Sequence, residues 1–329
     1  MGSHEASGPS FITLAPICGS RYFPPMSASA NPRLRRSLLW APGDDPHKME
    51  KATRTNADSI ILDLEDAVVP DHKVAARATV RDSLRNLDFH GSEKLVRINP
   101  LETGLALDDL TVTMAGQPDG YMIPKLRSED DVRFIDRALS NLEAISGREP
   151  GSVRVLLLAT ETPEAILNIR RIAQASLRSC AMMWASEDLS SALGSRKSRN
   201  EDGSLPDVFS FARSACLLAA ASEGMDPLDM PYFDFHDDAG LEKEAKEAAD
   251  LGFTGKGAIH PNQIPIINRV FVPSDDEVAE ANALLEAARE AFAAGQAAFV
   301  YKGAMVDAPH INRARRIVAR AEAAHAPSL

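Results

Sequence analysis

The sequence predicts an α/β protein folded as a closed (β/α)8 barrel of the TIM type, with a C-terminal helical extension forming a lid. Three observations predict it. Five apolar runs recur about every thirty residues, the length of a βα unit, and each ends in charged residues: Asp63 with Glu65 and Asp66, Arg97, Lys125, Glu161, and Glu187 with Asp188. Strand and helix signals alternate eight times, which favours a closed barrel over an open doubly wound sheet. No Gly-x-Gly-x-x-Gly or P-loop pattern supports a dinucleotide or nucleotide fold. A buried parallel strand reads as a short apolar run, and ionisable groups are costly to bury unpaired. Repeated at strand ends, such groups collect on one rim of a barrel, where these folds do their chemistry.

Element by element, residues 1–32 are rich in Ser, Pro and Gly without a sustained period and read as a disordered leader. Met-Gly-Ser-His reads equally as an added leader or as native sequence, Met26 is an alternative start, and no clean apolar segment suggests a signal peptide. Residues 37–41 form the first strand, stopped by Pro42-Gly43-Asp44-Asp45-Pro46. A helix over 48–56 leads to strand 59–64, and helix 74–87 to strand 95–98. Strand 121–123, helix 129–142 and strand 153–159 follow. The next helix starts at Pro163, a favourable first-turn position. Strand 181–185 precedes a polar excursion over 194–206 and a helix over 208–221. Strands 230–235 and 256–259, with helix 241–249 between them, complete the barrel, which spans 33–270. Residues 271–329 form a lid or oligomer-building arm: an Ala- and Glu-rich helix over 275–294, a short apolar piece over 297–305, and a basic helix over 311–324.

Composition narrows the function. The 329 residues are 44% hydrophobic and 25% charged, ordinary for a globular chain with a large core. No apolar stretch is long enough to span a bilayer. A net charge of −11 argues against broad nucleic-acid binding, although an anionic small substrate remains open if a local basic pocket receives it. Cys18, Cys180 and Cys216 show no metal or disulfide spacing, so a reducing cytoplasmic home is the simplest, with Cys180 and Cys216 as core fillers.

Glu161 and Asp188 follow apolar runs on adjacent strands. Two converging carboxylates suit Mg²⁺, which takes oxygen ligands and keeps positions for water and substrate, whereas Zn²⁺ would want His or Cys. The alternative is that both cap the helices that follow them. Arg97, flanked by apolar residues, needs an anion: either a substrate carboxylate or enolate oxygen, or an internal partner in Asp63 or Glu65 that would also orient it. Lys125 is either a second anion contact or a structural salt bridge. Thr162 and Ser186 could touch a polar substrate or simply start helices. His260 before Pro261 suits a loop-fixing hydrogen bond better than acid–base work, His236 is uninformative, and Trp40 and Trp184 read as packing, with Trp184 also able to wall the site. Together these groups suggest a Mg²⁺-assisted reaction at a carbonyl, with an enolate stabilised by Arg97 and the metal.

The chain resembles the citrate lyase β-subunit-like branch of the HpcH/HpaI aldolase superfamily, which also holds malyl-CoA and citramalyl-CoA lyases. The resemblance runs from about Arg35 to Arg320. It rests on Arg35-Arg36-Ser37-Leu38-Leu39-x-x-Pro42-Gly43-Asp44, Asp63-Leu64-Glu65-Asp66-Ala67-Val68, Arg97-Ile98-Asn99-Pro100, Glu187-Asp188-Leu189, Gly255-Lys256-x-Ala258-Ile259-His260-Pro261 and Gly303-x-Met305-Val306-Asp307-Ala308-Pro309. It implies that Arg97 holds the oxo-acid carboxylate and developing enolate, that Glu161 and Asp188 bind Mg²⁺, and that Glu65 supports the arginine. It also implies that Arg36 and Lys256 lie in segments receiving coenzyme A, and that Asp307 works as an acid/base on a lid reaching a neighbouring subunit. Asp63 and Lys125 join Arg97 as substrate-binding groups.

The implied activity is Mg²⁺-dependent carbon–carbon cleavage of a 3-hydroxy-carboxyacyl-CoA to an acyl-CoA and a 2-oxo acid, in a homo-oligomer, commonly a trimer. A malate-synthase-like condensation, an acyl-CoA thioesterase, or a non-catalytic subunit of a lyase complex are the alternatives. Two departures bear on substrate identity. The chain reads Thr160-Glu161-Thr162-Pro163 where relatives often have Ile-Glu-Thr-Ala, and Ser186 stands where many relatives have a Gly-Ala or Gly-Pro pair.

Overall fold

The computed structural model describes residues 33–325, so the leader expected over 1–32 and the last four residues lie outside the described residues. Eight parallel strands close into a barrel in sequence order, β8 pairing with β1. The strands and helices alternate as β1 (Ser37–Pro42), α1 (Pro46–Thr53), β2 (Ser59–Asp63), α2 (Lys73–Asn86), β3 (Glu93–Arg97), α3 (Ala106–Met114), β4 (Gly120–Ile123) and α4 (Glu129–Ser146). The second half continues with β5 (Arg154–Leu158), α5 (Pro163–Ala173), β6 (Ser179–Met183), α6 (Glu187–Leu193), α7 (Asp207–Ser222), β7 (Asp226–Asp229), α8 (Asp238–Leu251), β8 (Gly255–Ala258) and α9 (Ile264–Val270). Beyond the barrel come α10 (Asp275–Ala293), a hairpin of β9 (Phe299–Tyr301) and β10 (Ala304–Val306), and α11 (Ala308–His325).

Two apolar layers hold this arrangement. Outward-facing strand residues such as Ile60, Val96 and Leu157 pack under the helices. Leu38, Ile61, Leu95, Met122, Leu156, Ala181, Met183 and Leu228, drawn from β1 to β7, form a second cluster that fills the lumen. β8 contributes no large side chain there because Trp40 takes the space. A Cβ at Gly257 would lie 2.8 Å from the Trp40 ring and 2.7 Å from Pro231. The glycine is therefore a packing requirement.

Local chemistry explains the boundaries. Ser128 caps α4 in a reciprocal box with Asp131, and Gly147 ends it in the left-handed conformation. Ser274 and Glu277 form the same box on α10. Lys302 and Gly303, both at positive φ, make the two-residue turn joining β9 to β10.

The structure differs from the sequence expectation at three elements. Strand seven lies over Asp226–Asp229 rather than 230–235, because Asp226 pairs with Arg35 and Asp229 with Lys256. Those partners let charged residues sit in a buried strand, so the apolar run that follows is loop, with Phe233 and Phe235 exposed. Helix α3, rich in Thr and Asp, lies between strands three and four, where no helix bounds are read from the sequence. The short apolar piece near residue 300 is the β9–β10 hairpin. No helix among the described residues is long and apolar enough to cross a membrane.

Candidate active site

The C-terminal ends of β2 to β6 place five carboxylates and two cations together. Asp63 ends β2, and its carboxylate receives Arg97 Nε at 2.7 Å and Nη2 at 2.6 Å, plus the backbone N–H groups of Glu65 and Ala67. Arg97 ends β3, directly beside Asp63 in the parallel register. Its Nη1 lies 2.7 Å from Glu65 Oε2, yet that oxygen, fully buried, accepts no well-aligned hydrogen bond. Two of the guanidinium's five N–H groups remain beyond those directed at Asp63 and Glu65, enough for one bidentate oxyanion contact.

Lys125 ties the other half of the rim. Its backbone sits in the left-handed region at φ 49°, a conformation uncommon for a side-chain-bearing residue. That conformation accompanies a 2.6 Å hydrogen bond from its N–H to Glu161 Oε2. Its ammonium donates to Glu65 at 2.5 Å and to Asp66, and lies 3.4 Å from Asp188 Oδ1. Glu161 follows β5, and Asp188 stands in the first turn of α6, after β6. Glu161, Asp188, Lys125 and Thr162 line one cleft of about 230 Å³, with Glu102, Arg127, Ser191 and Ala192. The residue before Asp188 is anchored as well. Glu187 Oε1 accepts from Ser186 Oγ and, at 2.6 Å, from Ser198 Oγ, which tethers the polar loop over 194–206 beside the site. Arg199 pins the same loop to Glu244 at 2.6 Å.

The electrostatics follow from this surplus of negative charge. Burial, then the nearby Glu65 and Asp188, push the Glu161 carboxyl up to about 8. Burial raises Glu65 too, although Arg97 and Lys125 oppose it. Burial would lower Arg97 and Lys125, but their carboxylate partners outweigh it and hold both well above the usual range. Among the described residues, Asp63, Glu65, Asp66 and Asp188 form ion pairs with these two cations alone, and Glu161 accepts from the Lys125 N–H. A divalent, oxygen-seeking cation fits such a field. Glu161 and Asp188 are two carboxylates of one cleft that could hold it, and no His or Cys lines that cleft among the described residues.

The structure corrects several expected roles. Asp63 is fully buried and its oxygens are occupied by four donors, so it orients Arg97 and cannot touch a substrate. Arg36 precedes β1, at the opposite rim from the carboxylate cluster, where a bidentate pair with Asp58 at 2.7 and 2.8 Å occupies its guanidinium. Lys256 is fully buried in β8 between Asp229 and Glu244, both at 2.7 Å, and is equally unavailable. The Thr162 hydroxyl is committed, accepting from Ala165 N and donating to Leu126 O. Ser186 is buried against Glu187 and Met230. His260 keeps the loop-fixing role expected of it, accepting from Asn262 N. Trp184 is buried with Nε1 on Asp229, and is packing rather than a site wall.

Asp307 lies outside this cluster. It follows β10, half-exposed, with its carboxylate 2.6 Å from His310 Nδ1. The arm returns toward the other end of the barrel, where Arg320 donates to the carbonyls of Thr254 and Phe271. Residue-type reasoning misses Asp66, Glu102 and Arg127.

Comparison with known proteins identifies the family of the chain. The family model described as HpcH/HpaI aldolase/citrate lyase matches residues 36–261. The chain is 36% identical to an L-malyl-CoA/β-methylmalyl-CoA lyase of Cereibacter sphaeroides, over 92% of this chain and 98% of the relative. It is 31% identical to the mitochondrial citramalyl-CoA lyase of Mus musculus, over 91% of this chain and 90% of that one. Among solved structures it is similar to the protein CitE from Mycobacterium tuberculosis in complex with magnesium, acetoacetate and coenzyme A. That match has a TM-score of 0.73 and 34% identity, covering 88% of this chain and 98% of that one. A matching family model across most of the barrel, with relatives above 30% identity along nearly the whole length, means that this chain belongs to the HpcH/HpaI aldolase/citrate lyase family.

Proposed function

We propose that the protein is a magnesium-dependent carbon–carbon lyase that cleaves a 3-hydroxy-carboxyacyl-CoA to an acyl-CoA and a 2-oxo acid. The observation that carries this reading is the meeting of Glu161 and Asp188 around Lys125, beside Arg97, in one cleft at the C-terminal rim. Relatives described as malyl-CoA and citramalyl-CoA lyases, and a similar structure holding magnesium and coenzyme A, support it.

Glu161 and Asp188 would hold the ion, which supplies Lewis acidity at the hydroxyl or keto oxygen of the substrate. Arg97, aimed by Asp63 and Glu65, offers its two remaining N–H groups to the carboxylate of the oxo-acid half and to negative charge as it develops. A base takes the hydroxyl proton, the oxygen's electron pair forms the keto group, and the C–C bond breaks. Its electrons pass to the thioester carbonyl as an enolate, which an acid protonates on carbon to give the acyl-CoA. One fixed oxyanion contact of this kind is worth about 3–4 kcal/mol of barrier.

The acid is Asp307, supplied by a neighbouring copy in a cytoplasmic homotrimer. Its separation from its own chain's rim cluster and its position just after a hairpin support that assignment. The unpaired Cys180 and Cys216 are in keeping with a reducing compartment.

Incubation with a 3-hydroxy-carboxyacyl-CoA and Mg²⁺ should release a 2-oxo acid and an intact acyl thioester in equal amounts. Free thiol without oxo acid would instead mean hydrolysis. Mixing Asp307→Asn with Glu161→Gln protein should restore activity that neither variant has alone. No recovery after subunit exchange would place Asp307 outside the reaction.

A further inference from the structure

Lys125 and Arg127 line the cleft, Arg97 lies beside it against the same Glu65 that Lys125 meets, and the bonding of the three differs. Arg97 is bound to buried carboxylates, and Lys125 is shared among Glu65, Asp66 and Asp188. Arg127 alone of the three has its guanidinium on a single, exchangeable partner, Glu102 at 2.5 Å, with both side chains more than half exposed. A pair so exposed has little net stability, so an incoming anion can replace Glu102 at small cost. The root of the side chain is nonetheless fixed. The Arg127 N–H donates to Asp131 Oδ2 at 2.7 Å, and its carbonyl accepts from Asn168 Nδ2 at 3.3 Å. Arg127 and Glu102 line the same cleft as Glu161 and Asp188.

From this we infer that Arg127 is a specificity-determining residue that receives a second carboxylate on the oxo-acid half of the substrate. The inference rests on the lyase reading above and deepens it. The favoured product is then a 2-oxo dicarboxylic acid rather than a 2-oxo monocarboxylic one. Two considerations select a small carboxylate over the phosphates of coenzyme A. A cleft of about 230 Å³ is below the range that encloses drug-sized ligands, and it suits an acid of a few carbons. The planar guanidinium fork also matches a carboxylate bidentately once Glu102 is displaced. The surrounding acidity makes the point sharper, because a second carboxylate entering without a cation of its own would meet Glu102 in a cleft whose other cation, Lys125, is already engaged by Glu65, Asp66 and Asp188.

The test compares two coenzyme A thioesters that differ only at the hydroxyl-bearing carbon, which carries a carboxymethyl group in one and a methyl group in the other. Wild-type protein with Mg²⁺ should favour the carboxymethyl compound in kcat/KM. Arg127→Gln should lower that value by about tenfold or more while changing the methyl compound less than about twofold, because only the first loses a charged hydrogen-bonding partner. Glu102→Gln, which frees Arg127, should raise the ratio. Mg²⁺-dependent calorimetry with oxaloacetate and pyruvate should follow the same order. Equal losses on both thioesters would mean that Arg127 meets the coenzyme A portion, and would overturn the inference. So would an unchanged ratio, while turnover of the methyl compound left the lyase reading intact. Turnover of neither thioester, with neither oxo acid bound, would overturn both.

Discussion

Glu161→Gln and Asp188→Asn should each abolish Mg²⁺-dependent cleavage, a loss on the order of 10³-fold in kcat, and leave the barrel folded. Both substitutions keep shape and remove one negative charge. The amide oxygen that replaces the Glu161 carboxylate could still accept from the Lys125 N–H, so the backbone geometry at Lys125 survives. The metal cannot survive it, because a neutral amide replaces one of two anionic ligands. Stability should move in the opposite direction to activity. Glu161 titrates near 8 in the folded protein against 4.5 for an ordinary glutamate. Between those values the native state keeps a proton that the unfolded chain has lost, so metal-free stability falls as pH rises through that window. Glu161→Gln removes this dependence and should melt no lower than wild type at pH 8 without Mg²⁺. Added Mg²⁺, which takes the place of the proton, should raise the wild-type Tm more at pH 8 than at pH 6.5. A Glu161→Gln variant that kept its turnover, or a wild type whose Mg²⁺-induced shift ignored pH, would contradict this assignment.

Arg97 should be the residue whose loss damages both the fold and the chemistry. Arg97→Met strands the fully buried Asp63, which keeps only its two backbone donors, and leaves Glu65 with Lys125 alone. Breaking a buried pair by removing one member costs about 3–5 kcal/mol, a large part of a typical domain's stability. Arg97→Lys should recover charge but little else, since an ammonium cannot span both oxygens of Asp63 and also reach Glu65. Urea unfolding should therefore show a lower midpoint for both variants, with Met the worse, and cleavage should be undetectable in Met. If Arg97→Met unfolded at the wild-type midpoint, the Asp63–Arg97–Glu65 network would not be a buried clamp.

Much of this is legible in the chain because the barrel imposes a repeated pattern on its strands. Asp63, Arg97, Glu161 and Asp188 stand out as charges ending apolar runs, and the structure brings all four to the same rim. What cannot be read is which charges face one another. Arg36 and Lys256 carry the same side-chain chemistry as a phosphate site. Arg36 precedes its strand, on the far rim against Asp58, and Lys256 is buried under α8 against Glu244. Direction along a strand and a partner distant in sequence decide those cases, and neither is a local property. β7 is displaced for the same reason, since Asp226 and Asp229 are tolerable in a buried strand only because Arg35 and Lys256 are there. Arg127 and Glu102 sit on loops, where no periodicity marks a residue as part of a site.

The most direct test of the central claim is calorimetric titration of Mg²⁺, with pyruvate present, into wild-type protein and into Asp188→Asn at pH 8.5. One ion per chain should bind the wild type, more weakly at pH 6.5, and none should bind the variant. Equal binding to both proteins, or binding to neither, would contradict a magnesium site made by Glu161 and Asp188.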